Sequence, residues 1–241
     1  MKAIIDLALL AILVLCTWTG YRKGFLMGIG GILCILVAVY GANLLSNVFS
    51  YDVVPALKPF ISGYTESLLT DSDSEVLSQM GWSDSDYSLN DLLTQYPEEE
   101  TRFCQTCYEV LGIDSTTAAI LSERTVSYAE ESGVDMTDAI VHILCETISY
   151  VGCFILVFLL ILILLTVIGN LPNLSFRIPR LDLFNDIAGA VMGLARGFLL
   201  CILLVWALKF MGMLLGGDAL SASTLGGWLL RQNFLLNYLG V

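Results

Sequence analysis

Two stretches of this chain run for 21 residues each without a charge: residues 25–45 (FLMGIGGILCILVAVYGANLL) and 148–168 (ISYVGCFILVFLLILILLTVI). A helix needs about 20 apolar residues to cross the hydrocarbon of a bilayer. Only helices and closed barrels satisfy their own backbone polar groups there. Two further stretches have the same character with one embedded charge each: residues 3–19, around Asp6, and residues 187–208, around Arg196. The pattern predicts an all-α membrane protein with four transmembrane helices, arranged as two hairpins.

The composition fits that class. Hydrophobic residues make up 56% of the 241 and charged residues 14%, with a mean hydropathy of +0.78; an ordinary soluble domain is about one-quarter charged. The net charge of -12 looks out of place until it is mapped. Residues 46–139 hold 18 of the 23 acids but only three of the 11 bases, Lys58, Arg102 and Arg124. A mildly basic membrane part therefore carries an acidic insert. Acidity on this scale excludes a nucleic-acid-binding surface and does not suit docking on anionic lipid. The expected organisation is a first transmembrane hairpin (1–45), an acidic and mostly helical insert (46–139), a second hairpin (140–215) and an amphipathic C-terminal segment (216–241). Lys2 ahead of an apolar run has the outline of a secretory signal. No small-x-small cleavage site follows it, so the first stretch is expected to remain as a helix.

Inside the insert, Pro97 followed by three glutamates is a helix start, with Pro at the first position and acids in the first turn. That helix should stop at Gly112. Asp114 or Ser115 should open the next one, which ends near Gly133. From Asp135 the pattern turns apolar and runs into the third span, while residues 62–93 suggest a short helix or two broken by a loop. Near the C-terminus, Leu225, Trp228, Leu229, Leu235, Leu236 and Leu239 follow helical spacing. Two placements are open for this helix: in the membrane interface with Trp228 at headgroup depth, or packed on the insert.

The short loop between the first two spans carries Arg22 and Lys23, and that between the last two carries Arg177 and Arg180. Bases concentrate on the cytoplasmic side. This places the N-terminus, the insert and the C-terminus outside the cytoplasm.

A small cassette occurs twice: GYRKGFL at residues 20–26 and GLARGFL at 193–199. Both belong to the second helix of a hairpin. Gly20 and Gly24 are four apart, as are Gly189, Gly193 and Gly197, so each set lines one helix face and lets backbones approach closely. The charges are a sharper matter, because an ionisable group within a membrane helix marks a functional site by default. Arg196 would lie roughly 13–14 Å and Asp6 roughly 20 Å from the same surface at about 1.5 Å per residue. An Asp6–Arg196 pair is geometrically open. The alternative is that Arg196 matches Lys23 and snorkels to the headgroups. Asp186 suits the positive N-terminus of the last span.

Asp6 in a first apolar helix, then GYRKGF, then NDIxGxxxGxxRGF from Asn185 to Phe198, together resemble the colicin V production protein family. The matching positions are Asp6, Gly20, Arg22, Lys23, Gly24, Phe25, Asp186, Gly189, Gly193, Arg196 and Gly197. The resemblance implies an accessory or scaffold factor in colicin V production and secretion and in maintenance of the cell envelope, with no catalytic residues. The insert departs from the family's short members, which join the hairpins directly. A second reading is a small multi-subunit transporter or channel lined by Asp6 and Arg196.

Cys104 and Cys107 form a CxxC. No second CxxC or His pair accompanies it to make a zinc site, and no strand pattern surrounds it as in thioredoxin-like proteins. A structural disulfide is open to it outside the cytoplasm. No nucleophile elbow, zinc-protease motif or phosphate-binding glycine loop is present. The expectation is a protein that is not an enzyme and takes no cofactor or metal. Its partners would be the lipid bilayer, proteins met through the insert, or further copies of itself.

Overall fold

The computed structural model describes residues 2–70, 75–82, 92–93, 95–170, 182–210 and 223–231. It contains α1 (Lys2–Lys23), α2 (Phe25–Thr70), α3 (Glu75–Met80), a 3-10 turn at Pro97–Glu99, α4 (Glu100–Val110), α5 (Ser115–Ser132), α6 (Met136–Asn170), α7 (Asp182–Phe210) and α8 (Thr224–Arg231). There is no strand among the described residues. Four segments are long and apolar enough to cross a membrane: Ala3–Lys23, Phe25–Glu66, Met136–Ile168 and Phe184–Phe210. The all-α membrane architecture is therefore as expected.

Two of the spanning helices are longer than their apolar stretches. α6 begins at Met136, at the point where the sequence turns apolar. α2 continues 25 residues past the uncharged stretch, through Pro55 and Pro59, where a new segment was expected after residue 45. Proline removes a helical hydrogen bond and crowds the carbonyl four residues before it. These two prolines are themselves four apart, so both defects fall on one face, at the carbonyls of Tyr51 and Pro55, and the rest of the helix remains intact.

The chain divides into two compact units. The first comprises Met1–Val48, Gly152–Leu208 and Ala219–Val241; the second comprises Phe49–Val151 and Lys209–Asp218. The boundaries fall inside α2, α6 and α7 and not in loops between them.

In the first unit α1 and α7 are antiparallel and very close. A methyl group on Gly20 would lie 2.7 Å from Gly193 Cα and nearer still to the Gly189 carbonyl oxygen. One on Gly193 would strike the Cys16 carbonyl oxygen, and one on Gly197 would lie 3.0 Å from Cys16 Cβ and 3.3 Å from Leu13 Cα. Further along, Cys201 Sγ donates to the Leu9 carbonyl at 3.6 Å, and Val205 packs with Ile5. Each step of four along α7 is answered by three or four residues back along α1, as interlocking ridges require. α2 runs parallel to α7: Gly24 meets Asn185, Gly28 meets Met192 and Gly31 meets Arg196. Outside this seam the helices present apolar side chains outward, among them Leu33, Val37 and Tyr40 on α2 and Leu156, Leu160 and Ile163 on α6.

The second unit has its own core. Phe103, Cys104, Cys107 and Tyr108 on α4 pack with Ala118 and Leu121 on α5 and with Ile140 and Leu144 on α6. Buried Tyr108 and Thr125 share a hydroxyl–hydroxyl hydrogen bond of 2.5 Å, and Thr125 also donates to the Leu121 carbonyl at 2.8 Å. α4 ends at Leu111 beside Gly112, and α5 ends on Gly133 in the left-handed conformation at φ 64°. Asp114 precedes α5, but its side chain makes no capping hydrogen bond.

The seam makes a direct prediction. Gly193→Ala forces α1 and α7 apart and should lower the stability of the bundle by about 1–3 kcal/mol, as overpacking does. Gly30 has nothing within 4 Å of its missing side chain. Gly30→Ala should be neutral or slightly stabilising, because alanine is the better helix former. Thermal unfolding of the two variants in detergent separates these outcomes; equal loss would show that the seam is not what holds α1 to α7.

Candidate functional site

The joint between α1 and α2 is one residue, Gly24, at φ 82°, a conformation that side chains other than glycine rarely adopt. Its N–H donates to the Gly20 carbonyl at 2.9 Å, and its own carbonyl accepts from Gly28 at 3.0 Å. The next N–H, of Phe25, donates to Asn185 Oδ1 at 3.1 Å. Asn185 is buried, so α7 supplies the capping acceptor for the start of α2. Sequence reasoning gave Asn185 no role, although it stands in the NDIxG stretch that carried the resemblance. A side chain at residue 24 would also strike the Asn185 amide. Arg22 and Lys23 close α1 on an exposed turn, where cations suit the negative end of the helix dipole. Asp186 lies half-buried, one turn inside α7. Arg177 and Arg180 lie outside the described residues.

Gly24 lies against the backbone of Gly189 and the side chain of Asn185, and not against Gly197. The two cassettes are therefore out of step along the bundle, and Arg196 is not the counterpart of Lys23. It sits opposite Leu13 in the α1–α7 register. Its side chain lies over Gly31, where a methyl group would come 2.9 Å from Nη1 and 3.0 Å from Cδ. Helical side chains lean toward the helix N-terminus. Gly189 lies against Gly24 Cα, and Arg196 lies against Gly31, seven residues on along each helix, so Arg196 is level with Gly31. For α7 the N-terminal side is the end of the bundle that carries Arg22, Lys23 and Asp186. Its Nε is buried with no hydrogen-bond partner.

Asp6 does not pair with Arg196. With Arg196 opposite Leu13, Asp6 lies seven residues further along α1, roughly 10 Å away. The Asp6 carboxylate is instead taken up by α8. Oδ1 accepts from the Ser223 hydroxyl at 2.6 Å and from the Leu225 N–H at 3.0 Å, and Oδ2 accepts from the Thr224 N–H at 3.2 Å. Ser223 Oγ in turn accepts from the Gly226 N–H at 3.0 Å. The first free donors of α8 are thereby satisfied by a serine cap and a carboxylate from another helix, which also matches the positive end of the dipole. Leu229 then inserts among Ile5, Leu9, Cys201 and Val205, and Trp228 lies 6.0 Å from Phe198. The C-terminal helix is therefore docked on α1 and α7.

All seven cysteines are free thiols, so the disulfide open to Cys104 and Cys107 is not formed. Both side chains are buried in one turn of α4, inside the core of the second unit. Burial pushes the Cys104 thiol up to about 12, with Glu100 adding to the effect. Burial raises the Cys107 thiol as well. A redox or metal-binding cysteine needs an accessible thiolate, and this environment suppresses it. No group of three or more His, Cys, Asp or Glu suited to a metal ion occurs among the described residues. On the same unit, Arg124 and Tyr128 of α5 face Glu146 and His142 of α6: the first pair is an ion pair at 3.6 Å, and the second is a ring stack at 4.4 Å.

Residues 115–232 match the family model described as Colicin V production protein. The matched stretch runs from α5 through α8 and includes Asp186, Gly189, Gly193, Arg196 and Gly197; Asp6, Gly20, Arg22, Lys23, Gly24 and Phe25 lie before it. No curated protein and no solved structure matches the chain.

Two outcomes are expected from this geometry. Asp6→Ala leaves the Thr224 and Leu225 N–H groups and the Ser223 hydroxyl without their acceptor. Amide exchange across residues 223–231 should then speed up several-fold, with exchange in α4 and α5 unchanged; unaltered exchange at 223–231 would mean that the carboxylate does not hold α8. For the thiols, raising a pKa from 9 to about 12 lowers the thiolate population at pH 8 about a thousandfold. Peptide mapping after iodoacetamide treatment should find Cys104 unmodified in the folded protein and modified in denaturant, with native labelling rising about tenfold per pH unit.

Proposed function

We propose that this chain, whose residues 115–232 match the colicin V production protein family model, serves as a membrane-embedded accessory factor in producing or exporting a secreted peptide toxin and in maintaining the envelope. The family match carries the reading. It begins at α5 of the insert and runs through α6, α7 and α8, so one helix of the insert and the second pair of membrane helices are covered by one continuous match. A unit with its own core and an acid-rich sequence suits a protein-binding module. In this reading the chain is a scaffold and not an enzyme, and its partners are the bilayer and a protein held through the insert.

The proposal includes an orientation. Arg22 and Lys23 mark the cytoplasmic face under the positive-inside rule, which places the insert outside the cytoplasm. Gln79, on the exposed side of α3, is a suitable reporter. In intact cells, a membrane-impermeant maleimide should label Gln79→Cys and spare Arg22→Cys; the reverse pattern overturns the orientation. A photo-crosslinker at Gln79 should trap a discrete protein in toxin-producing cells. Recovery of no adduct from positions spread over α3, α4 and α5 would count against the scaffold.

A further inference from the structure

The Arg196 side chain presents a problem that the scaffold reading leaves open. A guanidinium within a membrane helix is expensive, and such groups are paired or face water, substrate or headgroups. Among the described residues no carboxylate forms an ion pair with it. Asp6, the charge embedded in α1, is occupied by Ser223, Thr224 and Leu225. Asp186, on the same helix, is ten residues away, about 15 Å by helical rise and beyond the reach of the side chain. The charges at the Gly24 end of the bundle are Arg22 and Lys23, of the same sign, and the single carboxylate of Asp186. The Nε donor is enclosed and unsatisfied, while the side chain as a whole retains some exposure.

The local packing fixes the group instead of leaving it to wander. Gly31 provides a flat patch of helix against which Nη1 and Cδ lie, and any larger residue there would displace them. Gly197, the next residue along α7, seats the helix on Leu13 and Cys16. The result is an ordered guanidinium about 10 Å below the Gly24 joint, seven residues of helix at about 1.5 Å each, beneath a rim in which two bases, Arg22 and Lys23, outnumber one acid, Asp186. That is a layout for an anion entering from the headgroup side.

We propose that Arg196 holds the phosphate of a membrane phospholipid, drawn below the headgroup plane between the rim bases and Gly31. A planar guanidinium binds phosphate through paired N–H donors. Local thinning and headgroup contact are how bilayers accommodate such an arginine. The lipid is favoured over free phosphate because its acyl chains meet the apolar outer faces of the bundle while its phosphate meets the charge. The site stands whether or not the insert recruits a protein.

The test uses the full-length protein, purified in neutral detergent and stripped of lipid. Phosphatidylglycerol, diacylglycerol with the same chains, and inorganic phosphate are titrated separately, and complexes are counted by native mass spectrometry. Phosphatidylglycerol should form a one-to-one complex that diacylglycerol does not. Arg196→Gln should weaken it at least about tenfold, the scale of one charge-assisted contact, and Arg196→Lys should retain most of it. Gly31→Ala keeps the charge but moves the guanidinium, and should give an intermediate loss. Helical circular dichroism and melting monitor the fold. If Arg196→Gln does not fold, Gly31→Ala decides, and wild-type affinity there overturns the proposal. Wild-type affinity in folded Arg196→Gln, or equal retention of diacylglycerol, also overturns it. Binding of inorganic phosphate at Arg196 in place of the lipid overturns the lipid source.

Discussion

The close approach of α1 and α7 at Gly20, Gly189 and Gly193 is the contact on which the rest of the membrane unit depends. Lipid is as apolar as leucine, so helices in a bilayer gain nothing from hiding grease. They gain from fitting closely, and here the fit is backbone against backbone. Once Gly20 lies in the groove of α7, the register of the two helices is fixed along their length. Asn185 then falls beside the first N–H of α2, Arg196 falls over Gly31, and Ile5 and Leu9 fall beside Cys201 and Val205. These last four build the floor on which Leu229 of α8 rests.

Much of this was legible in the sequence, and what was not has a physical reason. The four spans follow from length and apolarity alone. The four-residue glycine spacing announced a close contact, and Pro97, Gly112 and Gly133 punctuated the insert where the helices begin and end. The repeated cassette misled. Its two copies look alike because the same small residues allow close approach in both places, but likeness of packing does not put two segments at one depth. Only the contacts of Gly24 with Asn185 and of Gly31 with Arg196 reveal the offset. The length of α2 was hidden because the uncharged apolar run ends at residue 45, while the helix continues through Pro55 and Pro59 to Thr70.

Asp6 and the CxxC teach the same lesson from two sides. A lone carboxylate in an apolar helix looked like half of an ion pair, because charges attract attention to other charges. Its partners turned out to be N–H groups and one hydroxyl, which no charge count can register. Two cysteines three apart looked like a bond or a metal site, yet side chains at that spacing share a helix face, and this face is the buried one. In both cases the residue type suggested chemistry, and the surroundings assigned it to architecture.

The Asp6 clasp joins residues 217 positions apart. Its two halves cannot meet until nearly everything between them has been synthesised and placed in the bilayer. Before that moment the first span carries a bare carboxylate in an apolar helix, and the last helix carries bare amides. An incomplete or truncated chain therefore displays a polar blemish that the finished one conceals. The same contact that steadies the bundle ties its first helix to one of its last, so the two are locked only when both are in place.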